Sequence, residues 1–275
     1  MIKIMVDSAS DCRNSEIYDY FVPITVNIDG KDYKDGIDLD NDMFYNLLTR
    51  AKDFPRTSQP SPDEFLQIFE KVKADGDQLI YFALSSALSG TYQSANIAKN
   101  MAEYDGIYII DSKNASRMIE LLAIYAKKLI SKNLSAEEIV QKCEEIKTKI
   151  RIYAGLDTLE YLQKGGRIGK ATALIGALAN IKPLVTISQS GEVDAVGKAL
   201  GFGKAVQTLV QRVEKHEINT DFPICSLYTL GEENCIKLEE KLKEAGYSLS
   251  DRLQVGSTIG AHVGPGVYGV FFVEK

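Results

Sequence analysis

The sequence predicts an α/β protein of two domains: an N-terminal three-layer α/β/α domain over residues 1–152 and a C-terminal α+β domain with antiparallel strands over residues 153–275. Three observations predict it: short apolar runs that stop at polar clusters, helical stripes between them, and a change of pattern after Arg151. A chain of 275 residues with 45% hydrophobic content can bury two ordinary cores. We expect the ligand at the interface between the domains, where clefts usually form.

Three apolar runs predict the strands of the first domain. They are Ile2 to Val6, Leu79 to Leu84 and Ile107 to Ile110, and each stops at a polar cluster. This pattern is typical of strands that carry polar groups at their carboxyl ends.

Two helices of the first domain begin with recognisable caps. In the segments Ser61–Glu64 and Ser135–Glu138 a serine is followed three residues later by a glutamate, which is the capping-box pattern. Apolar stripes at helical spacing run through the first of these helices and through an intervening one, at Phe65, Ile68, Phe69 and Val72, and at Met118, Leu121, Leu122, Tyr125 and Leu129.

The second domain begins with a predicted antiparallel hairpin. One strand covers Leu184 to Ile187, a turn follows at Gln189–Glu192, and a return strand starts at Val193. Helical patterns and strand-like runs then alternate, with helices near Gly203–His216 and Gly231–Ala245 and strands at Ile224–Leu230, Leu253–Ile259 and Val267–Val273. We therefore expect an α+β arrangement.

Composition excludes several classes of function. The net charge of −6 and the lack of an arginine-rich run argue against nucleic acid as a partner. The four cysteines form neither a C-x-x-C pair nor a histidine-associated cluster, so we predict reduced thiols and no metal site. The apolar stretch Ala171–Ala179 is shorter than the roughly 18 residues that span a bilayer, and no signal region precedes the first strand. We expect a cytoplasmic protein without a membrane span.

Three polar segments favour a site for a small anion. Hydroxyls are concentrated in Thr57–Ser61 and in Ser85–Thr91, and a histidine lies in the glycine-rich segment Ala261–Gly266, which we read as a tight turn. Hydroxyls and an imidazole suit a carboxylate or a phosphate. The Ser85–Thr91 loop precedes a helix that starts near Thr91, and Gly90 would let the backbone approach a ligand. The alternative is that Ser89 or Thr91 only caps this helix, and that the Thr57 segment is a polar lead-in.

Other polar features have simpler interpretations. His262 could instead bond a backbone carbonyl, and His216 is expected to be solvated surface. The Gly165–Gly166–Arg167 segment could hold a phosphate or end a helix. The Asp7–Asp11 segment lacks the second aspartate of a dehalogenase-type phosphatase because Ala9 stands there, and no G-x-S-x-G nucleophile motif occurs.

Five segments in order resemble the DegV family of bacterial fatty-acid-binding proteins. They are Val6–Asp11, Thr57–Ser61, Leu84–Tyr92, Lys164–Ile168 and His262–Gly266, and the resemblance covers essentially the whole chain. Five motifs in the right order and spacing are far more specific than any one alone.

The resemblance implies a carrier that encloses one long-chain fatty acid and has no catalysis and no other cofactor. It implies that Thr57, Ser89 and His262 hold the carboxylate. The neighbouring candidates for ligand binding, taken from the same motifs, are Ser58, Ser85, Ser86, Gly90, Thr91, Arg167 and Gly264. It further implies that the acid is presented to a fatty acid kinase for acyl phosphate formation, and a lipid ligand would permit transient contact with a membrane.

One departure from the family pattern concerns the kinase. Where relatives often carry an arginine after the hairpin, this chain reads Val196 to Lys204 with Leu200 near that position. One alternative is therefore a lipid-binding module that has lost its kinase partner. A second alternative, of a different class, is an enzyme or binder that acts on a small phosphorylated metabolite.

Overall fold

The structure, a computed structural model, describes residues 1–174 and 180–275. The first half contains β1 (Ile2–Asp7), β2 (Tyr20–Val22), β3 (Thr25–Ile28), β4 (Lys31–Lys34), α1 (Asn41–Leu48), β5 (Arg56–Ser58), α2 (Pro62–Ala74), β6 (Gln78–Ala83), α3 (Thr91–Ala102), β7 (Ile107–Asp111), α4 (Arg117–Ile130) and α5 (Ala136–Lys147). The second half contains β8 (Ile150–Gly155), α6 (Glu160–Lys164), β9 (Ile181–Ile187), β10 (Val193–Leu200), α7 (Phe202–Val213), β11 (Cys225–Tyr228), α8 (Glu233–Glu244), β12 (Arg252–Gln254), α9 (Ser257–Val263) and β13 (Tyr268–Val273).

Four parallel strands form the central sheet of the first half, in the order β2-β1-β6-β7. Successive residues of β1 face opposite sides: Ile4 and Val6 belong to the core that includes α4 and α5, whereas Met5 belongs to the core that includes α2 and α3. Because both faces are covered, these strands read as continuous apolar runs. The predicted three-layer arrangement is confirmed.

Six strands form the second sheet, in the order β10-β9-β8-β13-β11-β12, and all neighbours are antiparallel except β11 and β12. The predicted hairpin is confirmed as β9 and β10. Helices α7 and α8 cover one face of this sheet, and the other face shares a core with the first half. That core contains both Ile4 and Ile152, so the division at residue 152 stays a prediction.

A third, small sheet was missed by the sequence analysis. Strands β4, β3 and β5 form it, and helix α1 packs against it. Its edge strand β5 contains Thr57 and Ser58, which the sequence analysis treated as loop residues; Thr57 pairs with Val26 across the ladder. The small sheet therefore fixes the backbone of a candidate site residue.

The predicted strand Leu253–Ile259 is wrong in its second part. Strand β12 ends at Gln254, and helix α9 begins at Ser257. The reason lies far away in the sequence, because the buried Asp35 carboxylate accepts hydrogen bonds from the backbone N–H of Thr258 at 3.1 Å and from its hydroxyl at 2.6 Å. These bonds satisfy donors of the first helical turn. His262 consequently lies in the last turn of α9 rather than in the predicted tight turn.

The prediction for His216 is also wrong. Its imidazole is half-buried and bonded on both nitrogens, to the Tyr153 hydroxyl at 2.6 Å and to the Glu274 carboxylate at 2.6 Å. His216 therefore holds the segment that follows α7 against the second sheet.

Two further predictions concern membranes and thiols. Within the described ranges, no helix is both long and apolar enough to cross a bilayer. Residues 175–179 of the apolar stretch Ala171–Ala179 lie outside the described residues. The four cysteines are buried free thiols.

Candidate functional site

A cavity of about 110 Å³ lies between the two large sheets. A single water needs roughly 10–15 Å³ of such space, so the cavity has room for a row of groups rather than for one. Most side chains that line it are apolar, and they come from both halves of the chain. The polar residues that line it are Thr57, Ser89, Ser116, Arg167, Thr186, Thr258 and His262.

The Thr57 hydroxyl and the His262 imidazole meet in the lining of the cavity, and we refer to this region as its polar end. Thr57 Oγ1 lies 2.7 Å from His262 Nε2. Burial lowers the pKa of His262 to about 4, and the nearby Arg167 guanidinium adds to this effect. The imidazole is therefore neutral at pH 7.

The neutral imidazole has one proton, on either Nδ1 or Nε2, and the tautomer decides whether Thr57 accepts from the imidazole or donates to it. His262 Nδ1 is buried and has no hydrogen-bond partner among the described residues. If Nε2 carries the proton and donates it to Thr57, the threonine hydroxyl is free to donate its own proton to a ligand. This tautomer makes Thr57 a donor directed at an acceptor such as a carboxylate.

Ser89 contributes a second hydroxyl to the same cavity. Its Oγ lies 2.9 Å from Thr91 Oγ1 and accepts a hydrogen bond from the Thr91 backbone N–H at 3.3 Å. Helix α3 begins at Thr91, with Gly90 as its N-cap and no side-chain cap. A side chain on Gly90 would collide with the amide of Gln59. Gly90 is thus required for the close packing of the Thr57 segment against α3.

Arg167 provides the positive charge near this end. Its Nε donates to the Leu88 carbonyl at 2.9 Å, and its Nη1 donates to the Gly165 carbonyl at 2.5 Å. Gly165 ends helix α6, which confirms the helix-end interpretation of the glycine pair. A side chain on Gly165 would collide with His262 Nδ1, so this glycine lets the imidazole lie against the backbone.

Six candidate residues lie outside the cavity lining: Gly90 and Thr91 at the start of α3, and Ser58, Ser85, Ser86 and Gly264. The Ser85 hydroxyl donates to the Gly191 carbonyl at 2.9 Å, and Ser86 is exposed and accepts from Lys113 Nζ at 3.0 Å. Ser58 is exposed on β5. Gly264, with φ +74°, packs against the ring of Tyr161 just after α9. These residues support the segments that bear Thr57, Ser89 and His262.

The sequence analysis missed three polar residues of the lining. The Thr186 hydroxyl donates to the Ile152 carbonyl at 2.6 Å, the Thr258 hydroxyl donates to Asp35, and the Ser116 hydroxyl donates to Asp11. All three hydroxyls are therefore engaged with protein acceptors, which leaves the middle of the cavity effectively apolar. No local sequence signal marks them, because their partners are remote or on the main chain.

The acceptors of the Ser116 and Thr258 hydroxyls are the buried carboxylates of Asp11 and Asp35. Burial raises the pKa of Asp11 to about 6, although the guanidinium groups of Arg117 and Arg13 oppose the shift. Asp35 pairs with Arg13 at 2.6 Å. No cluster of three or more histidine, cysteine, aspartate or glutamate side chains suited to a metal ion occurs in the part of the chain that the structure describes.

The sequence profile of the DegV family, described as a family of uncharacterised proteins, matches residues 1–275. The chain belongs to the DegV family. A DegV domain-containing protein of Caldanaerobacter subterraneus is 37% identical over 279 residues, which cover 100% of this chain and 99% of the relative.

Solved DegV structures have the same fold. A fatty-acid-binding DegV protein of Thermus thermophilus superposes with a TM-score of 0.89 at 28% identity, over 100% of this chain and 99% of the other. A stearic-acid-binding protein of Eubacterium ventriosum superposes with a TM-score of 0.87 at 27% identity, again over 100% and 99% of the two chains. Both of these solved proteins are thus described as fatty-acid-binding proteins.

Proposed function

We propose that this DegV protein binds a long-chain fatty acid, with the tail in the apolar cavity and the carboxylate held by Thr57, Ser89 and His262. The observation that carries the proposal is the Thr57–His262 pair at the polar end of a cavity whose lining is mostly apolar. We further propose that the protein is a carrier without catalysis of its own.

The polar end suits a carboxylate because an ionised carboxylate only accepts hydrogen bonds. Thr57 and Ser89 can each donate one, and neutral His262 supports Thr57 by donating to it. The Arg167 guanidinium adds a positive charge without needing to contact the ligand. An alcohol or an ester would use these donors less well, since bonds to a charged acceptor are stronger.

The tail supplies most of the binding free energy. Burying about 14 methylenes at about 0.8 kcal/mol each gives roughly 11 kcal/mol before the costs of association are subtracted. The polar end then mainly fixes the orientation and the choice of head group.

A small phosphorylated metabolite fits this cavity less well. Such a ligand needs polar partners along its whole length, whereas the hydroxyls of Ser116, Thr186 and Thr258 are engaged with the protein. Its phosphate would use only the end formed by Thr57, Ser89 and His262.

Mass spectrometry of the organic extract from natively purified protein tests the proposal, with a denatured and washed sample as control. We expect one long-chain fatty acid per chain. The absence of lipid, together with failure to take up added fatty acid, would reject the carrier function, and stabilisation by phosphate would then favour the metabolite alternative.

Presentation to a fatty acid kinase is the second part of the proposal. The residues that would hold the carboxylate retain some solvent exposure whereas most of the apolar lining is buried, so a partner could approach the head group. Leu200 ends β10 and is 70% exposed, as a residue in a docking surface would be. Acyl phosphate formation with a cognate kinase tests this, and L200R should raise the rate if a cation is needed there. Tight fatty acid binding without any acyl phosphate, both in the wild type and in L200R, would indicate a lipid-binding module without a kinase partner.

A further inference from the structure

A second space lies beside the cavity, on the same face of the second sheet. It is an open cleft of about 900 Å³ between α4, α5 and strands β11 to β13. Its apolar floor includes Leu121, Leu129, Cys225, Leu253 and Phe271. Tyr125 and Phe222 also line the cleft, and the centroids of their aromatic rings lie 5.3 Å apart.

Strand β13 and the residue before it contribute side chains to both spaces. On the face that covers the cavity, Val267 lines the cavity and Phe271 lines the cleft. The residue between them on this face is Gly269, which has no side chain. Val267 and Phe271 are four residues, or about 13 Å, apart along the strand, and no side chain lies between them on this face.

Three other elements also carry residues of both linings, only two or three positions apart. Leu227 lines the cavity, and Cys225, two residues earlier on β11, lines the cleft. Val255 and Leu253 are related in the same way at β12. On helix α4, Met118 lines the cavity and Leu121, one turn later, lines the cleft. At β11, β12 and α4, residues that line the cavity are thus close neighbours of residues that line the cleft.

Phe271 has the largest side chain among the residues just named on β11, β12, β13 and α4. In the sheet register it pairs with Ile152, which lines the cavity, and with Cys225, which lines the cleft. It is 2% exposed and packs in the core that also contains Met118 and Leu121. Phe271 is thus a buried residue of the cleft lining whose strand neighbour Ile152 lines the cavity.

We propose that Phe271 closes the tail end of the fatty acid cavity and thereby sets the longest acyl chain that the protein accepts. This inference rests on the proposed function. A tail that reaches Ile152 has no further space unless the ring moves, because the interior is close-packed. With a smaller residue at 271, additional methylenes can enter the cleft and contact Leu121 and Leu253.

Competition among fatty acids of roughly 14 to 22 carbons, read by native mass spectrometry, tests the proposal with F271A and F271L. Each extra buried methylene strengthens binding about fourfold, so we expect the ratio of the longest to the shortest bound acid to rise at least about tenfold in a folded variant. F272L is the matched control. It replaces the neighbouring aromatic ring, which faces the core formed with α7 and α8, by a smaller aliphatic side chain. The distribution of acyl chain lengths should then be unchanged.

Ile187 offers the alternative end of the cavity, because it also lines a small pocket near Lys113 and Arg151. A shift to longer acids in I187A, with none in F271A and F271L, would overturn the assignment to Phe271. If wild-type protein takes up none of the acids, the proposed function itself fails, and the inference fails with it.

The wild-type protein provides a readout that does not depend on a folded variant. A crystal structure with a saturated fatty acid that carries bromine on its terminal carbon locates the tail end by anomalous scattering. We expect the bromine beside Ile152 and the Phe271 ring. Bromine beside Ile187, or a tail that ends well short of Phe271, would refute the proposal.

Discussion

Thr57 Oγ1 and His262 Nε2 lie 2.7 Å apart, although 205 positions separate the two residues in the chain. Strand β5 carries the hydroxyl and helix α9 carries the imidazole, so the polar end of the cavity exists only when these elements are packed together. The following predictions test how this contact is used and how it is maintained.

Replacing the Thr57 hydroxyl should weaken fatty acid binding without unfolding the protein. We expect T57V to lower the affinity roughly tenfold to a hundredfold, because a hydrogen bond to a charged group contributes about 1.5–3 kcal/mol. H262A should also weaken retention of the acid. Fluorescent fatty acid displacement measures both effects. S58A, at the exposed neighbour on β5, is the matched control and should bind as the wild type does; equal affinities for T57V and S58A would remove Thr57 from the site.

Inserting a methyl group at Gly165 should displace the imidazole of His262. The added Cβ would collide with Nδ1, whereas the backbone of Gly165 has an ordinary negative φ of −76°. We therefore expect G165A to lower fatty acid affinity at least about tenfold, as the loss of one bond to a charged group would. G203A is the control, because its methyl group meets open space in helix α7 and should leave the affinity unchanged. Unaltered binding by G165A would show that the imidazole position is not critical.

Removing the Asp35 carboxylate should destabilise helix α9. D35A leaves the N–H and hydroxyl of Thr258 without their acceptor and leaves Arg13 without its partner. We expect a loss of about 2–4 kcal/mol in urea unfolding, together with faster release of fatty acid. D42A, at an exposed position in α1, should cost less than about 0.5 kcal/mol. A stable D35A protein with normal retention would contradict the role of Asp35 in positioning α9.

Burial of His262 should make the ligand-free protein less stable in acid. Its pKa is lowered from 6.5 to about 4 in the folded state. Between these values the unfolded chain binds a proton that the folded protein excludes, so stability rises with pH across this range. The contribution of His262 is full above pH 6.5 and decreases as pH falls toward 4, by up to about 3 kcal/mol.

The comparison with H262Q isolates this contribution. Burial raises the pKa of Asp7 and Asp11 to about 6, and these carboxylates act in the opposite direction because the folded protein keeps their protons between about pH 4 and 6. The total stability therefore combines opposing slopes. We expect the difference in unfolding free energy between wild type and H262Q to shrink as pH is lowered from about 7 to about 4. A pH-independent difference would contradict the burial of a neutral imidazole.

Local signals in the sequence predicted much of the fold. The capping boxes at Ser61 and Ser135 are present with both reciprocal hydrogen bonds, since they involve residues only three apart. The apolar runs of β1, β6 and β7 were recognised because burial on both faces leaves a continuous pattern. The edge strand β5 was missed, because a strand of three polar residues has no periodicity to detect.

Remote contacts explain the errors in the site. Ser85 and Ser86 have the same chemistry as Ser89, but only Ser89 lines the cavity, since Ser85 is bonded to Gly191 on the β9–β10 hairpin. The first three residues of α9 were read as the end of a strand, because the acceptor for this first turn is Asp35, more than 200 residues earlier. Neither partner can be identified from the neighbouring sequence.

The long separation between Thr57 and His262 also determines how late in translation the candidate site can form. Ribosomes add roughly 5–20 residues per second, so about 10–40 s pass between the synthesis of the two residues. Strand β13, which lies between β8 and β11 in the second sheet, is made later still. During that interval the emerging chain has the hydroxyls of Thr57 and Ser89 but no imidazole and no finished tail cavity. Under the proposed function, a fatty acid is therefore captured only after β13 has been synthesised.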